Sequence, residues 1–193
     1  MRSRTPKTPP WLEDVSPSLR LAGNNSCLAT RPTAILCSRQ CPGALILDTS
    51  DWVESWCKSS YEQTLASGFQ TSVEKEILRR LLRCDALVAR FPARSLPKRL
   101  PKAERAAVEA ARMVIVSPFP ESQSRPSKAL ARRRNELLLR IAQDAIVVHA
   151  APNSATLQWA HDAVSGGLPL YTFDHPSNAP LFDLGAQPID TYL

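Results

Sequence analysis

MVIVSPFPESQSRPSKALARRRNELLLRIAQDAIVVHAAPNSATLQWAHDA, residues Met113 to Ala163, reads as strand, Pro-rich loop, basic helix, strand, short polar loop and helix. Strands that alternate with helices belong to a parallel sheet covered on both faces, with its ligand crevice where the strands end. On a helix over residues 128 to 142, at about 100° per residue, Leu130, Arg134, Leu137, Leu138 and Ile141 share one arc. Arg134 therefore lies inside an apolar stripe. A guanidinium there needs a partner, because an unpaired buried charge costs several kcal/mol. Two partners fit: a carboxylate such as Asp144 or Asp162, or a bound phosphate. Arg132 and Arg133 add charge near the same end of the helix, where free amides attract anions.

The rest of the chain repeats this pattern. Thr33 to Cys37 is a short apolar strand, Ser38-Arg39-Gln40-Cys41-Pro42-Gly43 a polar loop, and a helix follows to about Cys57. The loop has neither the GxGxxG nor the GxxxxGK[ST] pattern, so neither a dinucleotide nor Mg-ATP is expected as a cofactor. Further strands are expected at Glu62 to Ala66, Ala86 to Phe91, Met113 to Val116, Ala145 to Val148 and Leu168 to Phe173. Gly68 after the second strand permits positive φ or a close approach to a ligand. Thr71 or Ser72 caps the next helix, whose inward stripe is Val73, Ile77, Leu81 and Cys84. Trp52 and Trp56, four apart, read as packing residues, and His161 as a core histidine. Ser154 and Thr156 either cap the last long helix or donate to a phosphate. The fold class is α/β: a Rossmann-like three-layer αβα sandwich with a mostly parallel sheet, over residues 32–193. Residues 1–31 read as a flexible tail, with Trp11 and Leu12 as a possible anchor.

Charge narrows the function. The net charge is +6 and the pI about 9.3, which suits a polyanion partner. Residues 70–140 hold 17 of the 24 Lys and Arg against 7 acidic residues, and residues 141–193 hold no Lys or Arg. The five cysteines show no paired CxxC spacing, so neither a disulfide framework nor a metal site is expected, and a reducing, cytoplasmic setting follows. No apolar run of membrane-spanning length occurs.

Several short motifs together carry a family resemblance: Ser38-Arg39, Ser67-Gly68-Phe69, Ser117-Pro118-Phe119-Pro120, Arg133-Arg134-Asn135, Asp144 to Ala150, and Ser154-Ala155-Thr156-Leu157. From about residue 33 to 190 the chain resembles the Rossmann-like domain of DNA-processing protein A (Smf), within the wider nucleotide-sensing (SLOG) group that includes lysine-decarboxylase-like nucleotide hydrolases. The resemblance implies a phosphate-lined pocket for single-stranded DNA, often in a homodimer, in DNA processing or recombination. Carried over, Arg39 and Arg134 contact phosphates, Gly68 lets the backbone approach, and Arg133 with Asn135 shapes the pocket; Ser38, Gly43, Ser67, Ser117, Ser154 and Thr156 complete the expected site. Two alternatives stay open: a sensor of a nucleotide or its derivative, and a nucleotide N-glycosidic hydrolase. The related hydrolases use PGGxGTxxE, and Trp159 stands where their glutamate falls. A tryptophan cannot move a proton in that role, so a binding module is expected rather than an enzyme.

Overall fold

Every apolar run that reads as a strand joins one sheet, in a computed structural model that describes residues 9–13, 18–59 and 62–192. The strands are β1 (Arg20–Gly23), β2 (Thr33–Cys37), β3 (Leu65–Ser67), β4 (Val88–Arg90), β5 (Met113–Ser117), β6 (Asp144–His149), β7 (Leu170–Thr172) and β8 (Gln187–Pro188). Their order is β1-β5-β4-β3-β2-β6-β7-β8, with only β1 antiparallel to its neighbour. The helices are α1 (Pro10–Glu13), α2 (Gly43–Lys58), α3 (Ser72–Leu81), α4 (Lys102–Glu109), α5 (Lys128–Ile141), α6 (Ala155–Ser165) and α7 (Ala179–Asp183).

Alternation along the strands makes two cores. Ala34 and Leu36 of β2, Val114 and Val116 of β5, and Ala145 and Val147 of β6 pack with Leu138 and Ile141 of α5, Ala160 of α6 and Leu181 of α7. Ile35, Met113, Ile115, Ile146 and Val148 face the other way, against Trp52 and Trp56 of α2, Ile77 and Leu81 of α3 and Ala107 of α4. Strands buried on both faces read as continuous apolar runs, which is why six, β2 to β7, were legible. Trp52 and Trp56 pack as expected, their ring centroids 5.3 Å apart. Among the described residues no helix is long and apolar enough to cross a membrane.

Four expectations change. The fold does not begin at Pro32: Arg20–Gly23 pairs with β5, and Leu12, Cys27 and Leu28 are buried in the first core. The Trp11–Leu12 anchor is the reading that holds, while residues 1–8 and 14–17 lie outside the described residues. Strand β3 starts at Leu65, and just before it the Gln63 side-chain amide donates to the Arg31 carbonyl (2.8 Å) and the Thr64 hydroxyl to that of Cys27, fastening the N-terminal segment. His161 is not in the core, its side chain 58% exposed, since α6 buries Thr156, Ala160 and Ala163. Finally, Cys57 and Cys84 are joined in a disulfide across the C-terminal ends of the neighbouring α2 and α3. A separation of 27 residues matches no short motif, and the inference of a reducing compartment loses its premise.

Asn178, which no sequence pattern marks, ties the β6–β7 side together. Its Nδ2 donates to Val148 O (3.0 Å), Thr172 Oγ1 (2.9 Å) and Phe173 O (3.2 Å), and its Oδ1 pairs with His149 Nδ1 at 2.9 Å. All of this is buried. Asn178→Ala should lower unfolding free energy by roughly 2–4 kcal/mol, because several buried groups lose their partner together; urea titration measures it.

Candidate functional site

In the sheet order, β2 and β6 are neighbours, yet their following helices leave to opposite faces, α2 into one core and α6 into the other. This is the topological switch point, and the loops leaving β2 and β6 converge there. Ser38 Oγ accepts from the Ala151 amide (3.0 Å) and donates to Ser154 Oγ (3.2 Å), and Ser154 Oγ also accepts from the Leu157 amide at 3.2 Å as the N-cap of α6. Two hydroxyls carry two protons, and their mutual bond uses one. The second has no acceptor among the described residues. Ser38 is buried and Ser154 half-exposed, so the free donor belongs on Ser154, facing outward.

Both helices that start here suit an anion. Pro42 at the N-cap of α2 offers no side-chain hydrogen bond, and neither α2 nor α6 has an acidic residue in its first turn. Their first amides therefore present unneutralised positive ends. Gly43 is the first residue of α2, and a Cβ there would meet nothing within 4 Å. Its contribution is an amide, not room. Arg39 is exposed beside Ser38 and makes no ion pair with any described residue. Thr156 is buried in the first turn of α6, beneath this surface.

A second cluster forms over β3 and β4, and it recasts Arg134. The side chain is only 3% exposed. Its Nη1 donates to the Phe91 carbonyl at 2.7 Å and its Nη2 to Gln70 Oε1 at 3.4 Å, with Nε unpartnered. Neither Asp144 nor Asp162 pairs with it; Asp144 accepts from Tyr192 (3.2 Å) and Asp162 sits exposed on α6 beside Gln158. Burial pulls the guanidinium pKa down to about 10, Glu74 opposes that shift and Arg90 adds to it, and the group stays charged at neutral pH. A Cβ on Gly68 would fall 1.1 Å from Arg134 Nη1. The glycine is there to admit the guanidinium, not a ligand. Arg134 thus holds the β3 and β4 loops in place from below instead of facing solvent.

Glu74, legible in the sequence only as a first-turn acid, joins the two clusters. Its Oε1 accepts from the Cys37 amide (3.1 Å), and its Oε2 from the amides of Gln70 (2.8 Å) and Thr71 (3.2 Å), while Thr71 caps α3 in return. The ends of β2 and β3 are fixed to one carboxylate. Glu74→Gln replaces one acceptor oxygen with a donor, setting N–H against N–H at one of these loops. It should cost about 1–3 kcal/mol in a denaturant titration and speed amide exchange at Cys37 or Gln70.

Of the remaining expected residues, Ser67 and Ser117 are engaged in loop geometry. Ser67 and Ser117 end β3 and β5, fully buried, each accepting from the amide two residues on (Phe69 and Phe119, both 3.2 Å), and Ser117 also donates to Arg94 O at 2.8 Å. Asn135 is buried with its Oδ1 unpartnered. Arg133 is exposed, its guanidinium 5.8 Å from the Phe119 ring centre. Part of the basic charge lies at the carboxyl edge of β2 to β5. Arg39, Arg94, Lys98, Arg99, Arg125 and Lys128 all lie on loops or helix starts leaving these strands, and none has an ion-pair partner among the described residues. Arg90, at the end of β4, is instead spent on Glu104.

Comparison with known proteins agrees with this architecture. DNA processing protein A from Helicobacter pylori, described for its single-stranded DNA binding mode, superposes with a TM-score of 0.74 at 20% identity, over 96% of this chain and 90% of that one. DNA processing protein A from Streptococcus pneumoniae gives 0.74 at 17% identity over 93% of this chain, which spans 66% of that protein's length. A molybdenum cofactor binding protein from Rippkaea orientalis shares the fold more distantly, at 0.55 and 12% identity over 82% of this chain and 89% of that one. No curated protein sequence matches. Residues 3–189 match the DNA recombination-mediator protein A family across nearly the whole chain, and the chain belongs to that family.

Proposed function

We propose that the carboxyl edge of the sheet binds the phosphate backbone of single-stranded DNA, in a role in DNA processing or recombination. The observation that carries this reading is the Ser154 donor between the uncapped start of α2 and the start of α6, neither with an acid in its first turn, with the unpaired Arg39 alongside. Phosphate oxygens accept from hydroxyls, helix-start amides and guanidinium alike. The charge gives the path a direction. The loops leaving β6 and β7 have no Lys or Arg and include Asp174, while the cations line the β2 to β5 side. A strand anchored at the switch point runs across the ends of β3, β4 and β5, on loops that Arg134 and Glu74 hold rigid from beneath. The related H. pylori protein supports the polymer over a lone nucleotide, and Trp159, half-buried where the related hydrolases carry a glutamate, leaves no acid or base there.

Fluorescence anisotropy with a labelled single-stranded oligonucleotide tests the reading. Four phosphate contacts would give a log–log salt slope of about −3, or roughly a fifty-fold loss of affinity between 50 and 200 mM salt. A flat salt response, or competition by a mononucleotide as strong as by the oligonucleotide, would overturn it.

A further inference from the structure

The bend Ser38-Arg39-Gln40 is bracketed by two free cysteines. Cys37 is the last residue of β2, buried in the second core, paired with His149 of β6 on one side after a register shift at Leu36, and held on the other by its amide on Glu74. Cys41 is half-buried at the other end of the bend, next to the N-cap of α2, and its thiol lies 3.7 Å from the Pro42 carbonyl. The two thiols are hydrogen-bonded to each other; this contact and burial raise the pKa of Cys37, and the same contact lowers that of Cys41. The uncapped start of α2 favours a thiolate at Cys41 in the same sense. The other cysteines differ. Cys27 is enclosed and burial pushes its thiol up to about 11, and Cys57 and Cys84 are already bonded to each other.

We propose that Cys37 and Cys41 form a peroxide-sensitive modification site that gates the phosphate-binding loop between them. A peroxide oxidises the Cys41 thiol to a sulfenic acid and is itself reduced to water or an alcohol. The Cys37 thiol then attacks the Cys41 sulfur, the S–O bond breaks, water leaves, and a disulfide remains; one peroxide has taken two electrons from the pair. The sulfurs must close from hydrogen-bonding to bonding distance. Strand β2 is fixed on both sides, so the displacement falls on residues 38–41, which carry the Ser38–Ser154 contact and Arg39. Reduction restores the loop. The gating half of this inference rests on the proposed function, whereas formation of the bridge does not.

The test treats the full chain with hydrogen peroxide, blocks remaining thiols by alkylation and maps the peptides. Arg39 lies between the two cysteines, so trypsin leaves a cross-linked peptide pair if the bridge has formed. The expected results are a Cys37–Cys41 link, altered amide exchange across residues 38–42, and at least a ten-fold loss of oligonucleotide affinity reversed by dithiothreitol. Cys41→Ser should show none of these changes. Absence of the link, overoxidation of Cys41 without it, or a link that leaves both exchange and affinity unchanged overturns the proposal. Should the reduced protein bind no oligonucleotide, the proposed function fails on its own, and the link together with the exchange of residues 38–42 still decides for or against the dithiol.

Discussion

Gly68→Ala is expected to destabilise the protein by about 3 kcal/mol or more, out of proportion to one added methyl group. The new Cβ would occupy the space of Arg134 Nη1, 1.1 Å away, with Cζ at 2.0 Å. On a surface a guanidinium at the end of a flexible chain would swing aside at little cost. Here it is 3% exposed and bonded to Phe91 O, so moving it strands a buried carbonyl and breaks a charge-assisted hydrogen bond. The argument is specific to the pair. Arg134→Ala removes the obstacle, and in that background the added cost of Gly68→Ala should fall below about 1 kcal/mol, a coupling energy of roughly 2 kcal/mol or more in a double-mutant cycle. Additive effects in that cycle would show that the two residues do not share this space.

Arg39→Ala should act oppositely: no measurable change in stability, and a large change in binding. The side chain is exposed and unpaired, so nothing in the fold depends on it. A charge-assisted bond to a phosphate is worth roughly 1.5–3 kcal/mol, which predicts about a ten-fold or greater loss of affinity for the oligonucleotide. Losing one phosphate contact should also flatten the salt slope by about 0.7. Arg39→Lys keeps the charge but not the fork, and should recover part of the affinity with nearly the original slope. Equal binding by wild type and Arg39→Ala at every salt concentration would move the contact elsewhere.

The sheet was readable because strands covered on both faces are uninterrupted apolar runs, and the helices because Thr71 with Glu74, and Ser154, announce their starts. What escaped was whatever depends on partners distant in sequence. Arg134 could be placed inside an apolar stripe, yet its neighbour proved to be the backbone of Phe91, 43 residues away, which no helical wheel reveals. Gly68 suggested a close approach, and the approaching group is a side chain of the same protein. The strand at Arg20–Gly23 hid in a polar, Pro-containing segment because an edge strand needs only one covered side, and β1 supplies few apolar residues of its own. Asn178 and the Cys57–Cys84 bond have no local signature at all. For the site, the polar residue types after each strand were legible; which of them are spent on loop geometry, such as Ser67 and Ser117, and which remain open, such as Arg39 and Ser154, emerges only once hydrogen-bond partners are known.

Hydrogen–deuterium exchange with and without a saturating single-stranded oligonucleotide tests the location of binding most directly. Protection should concentrate in residues 38–46 and 151–157, where the two helix starts meet, and extend to the loops after β4 and β5. The opposite edge, around Thr33, Asp144 and Tyr192, should exchange as in the free protein. Protection confined to that opposite edge, or none at the switch point under conditions where anisotropy reports full binding, would contradict the assignment of this surface to the phosphate backbone.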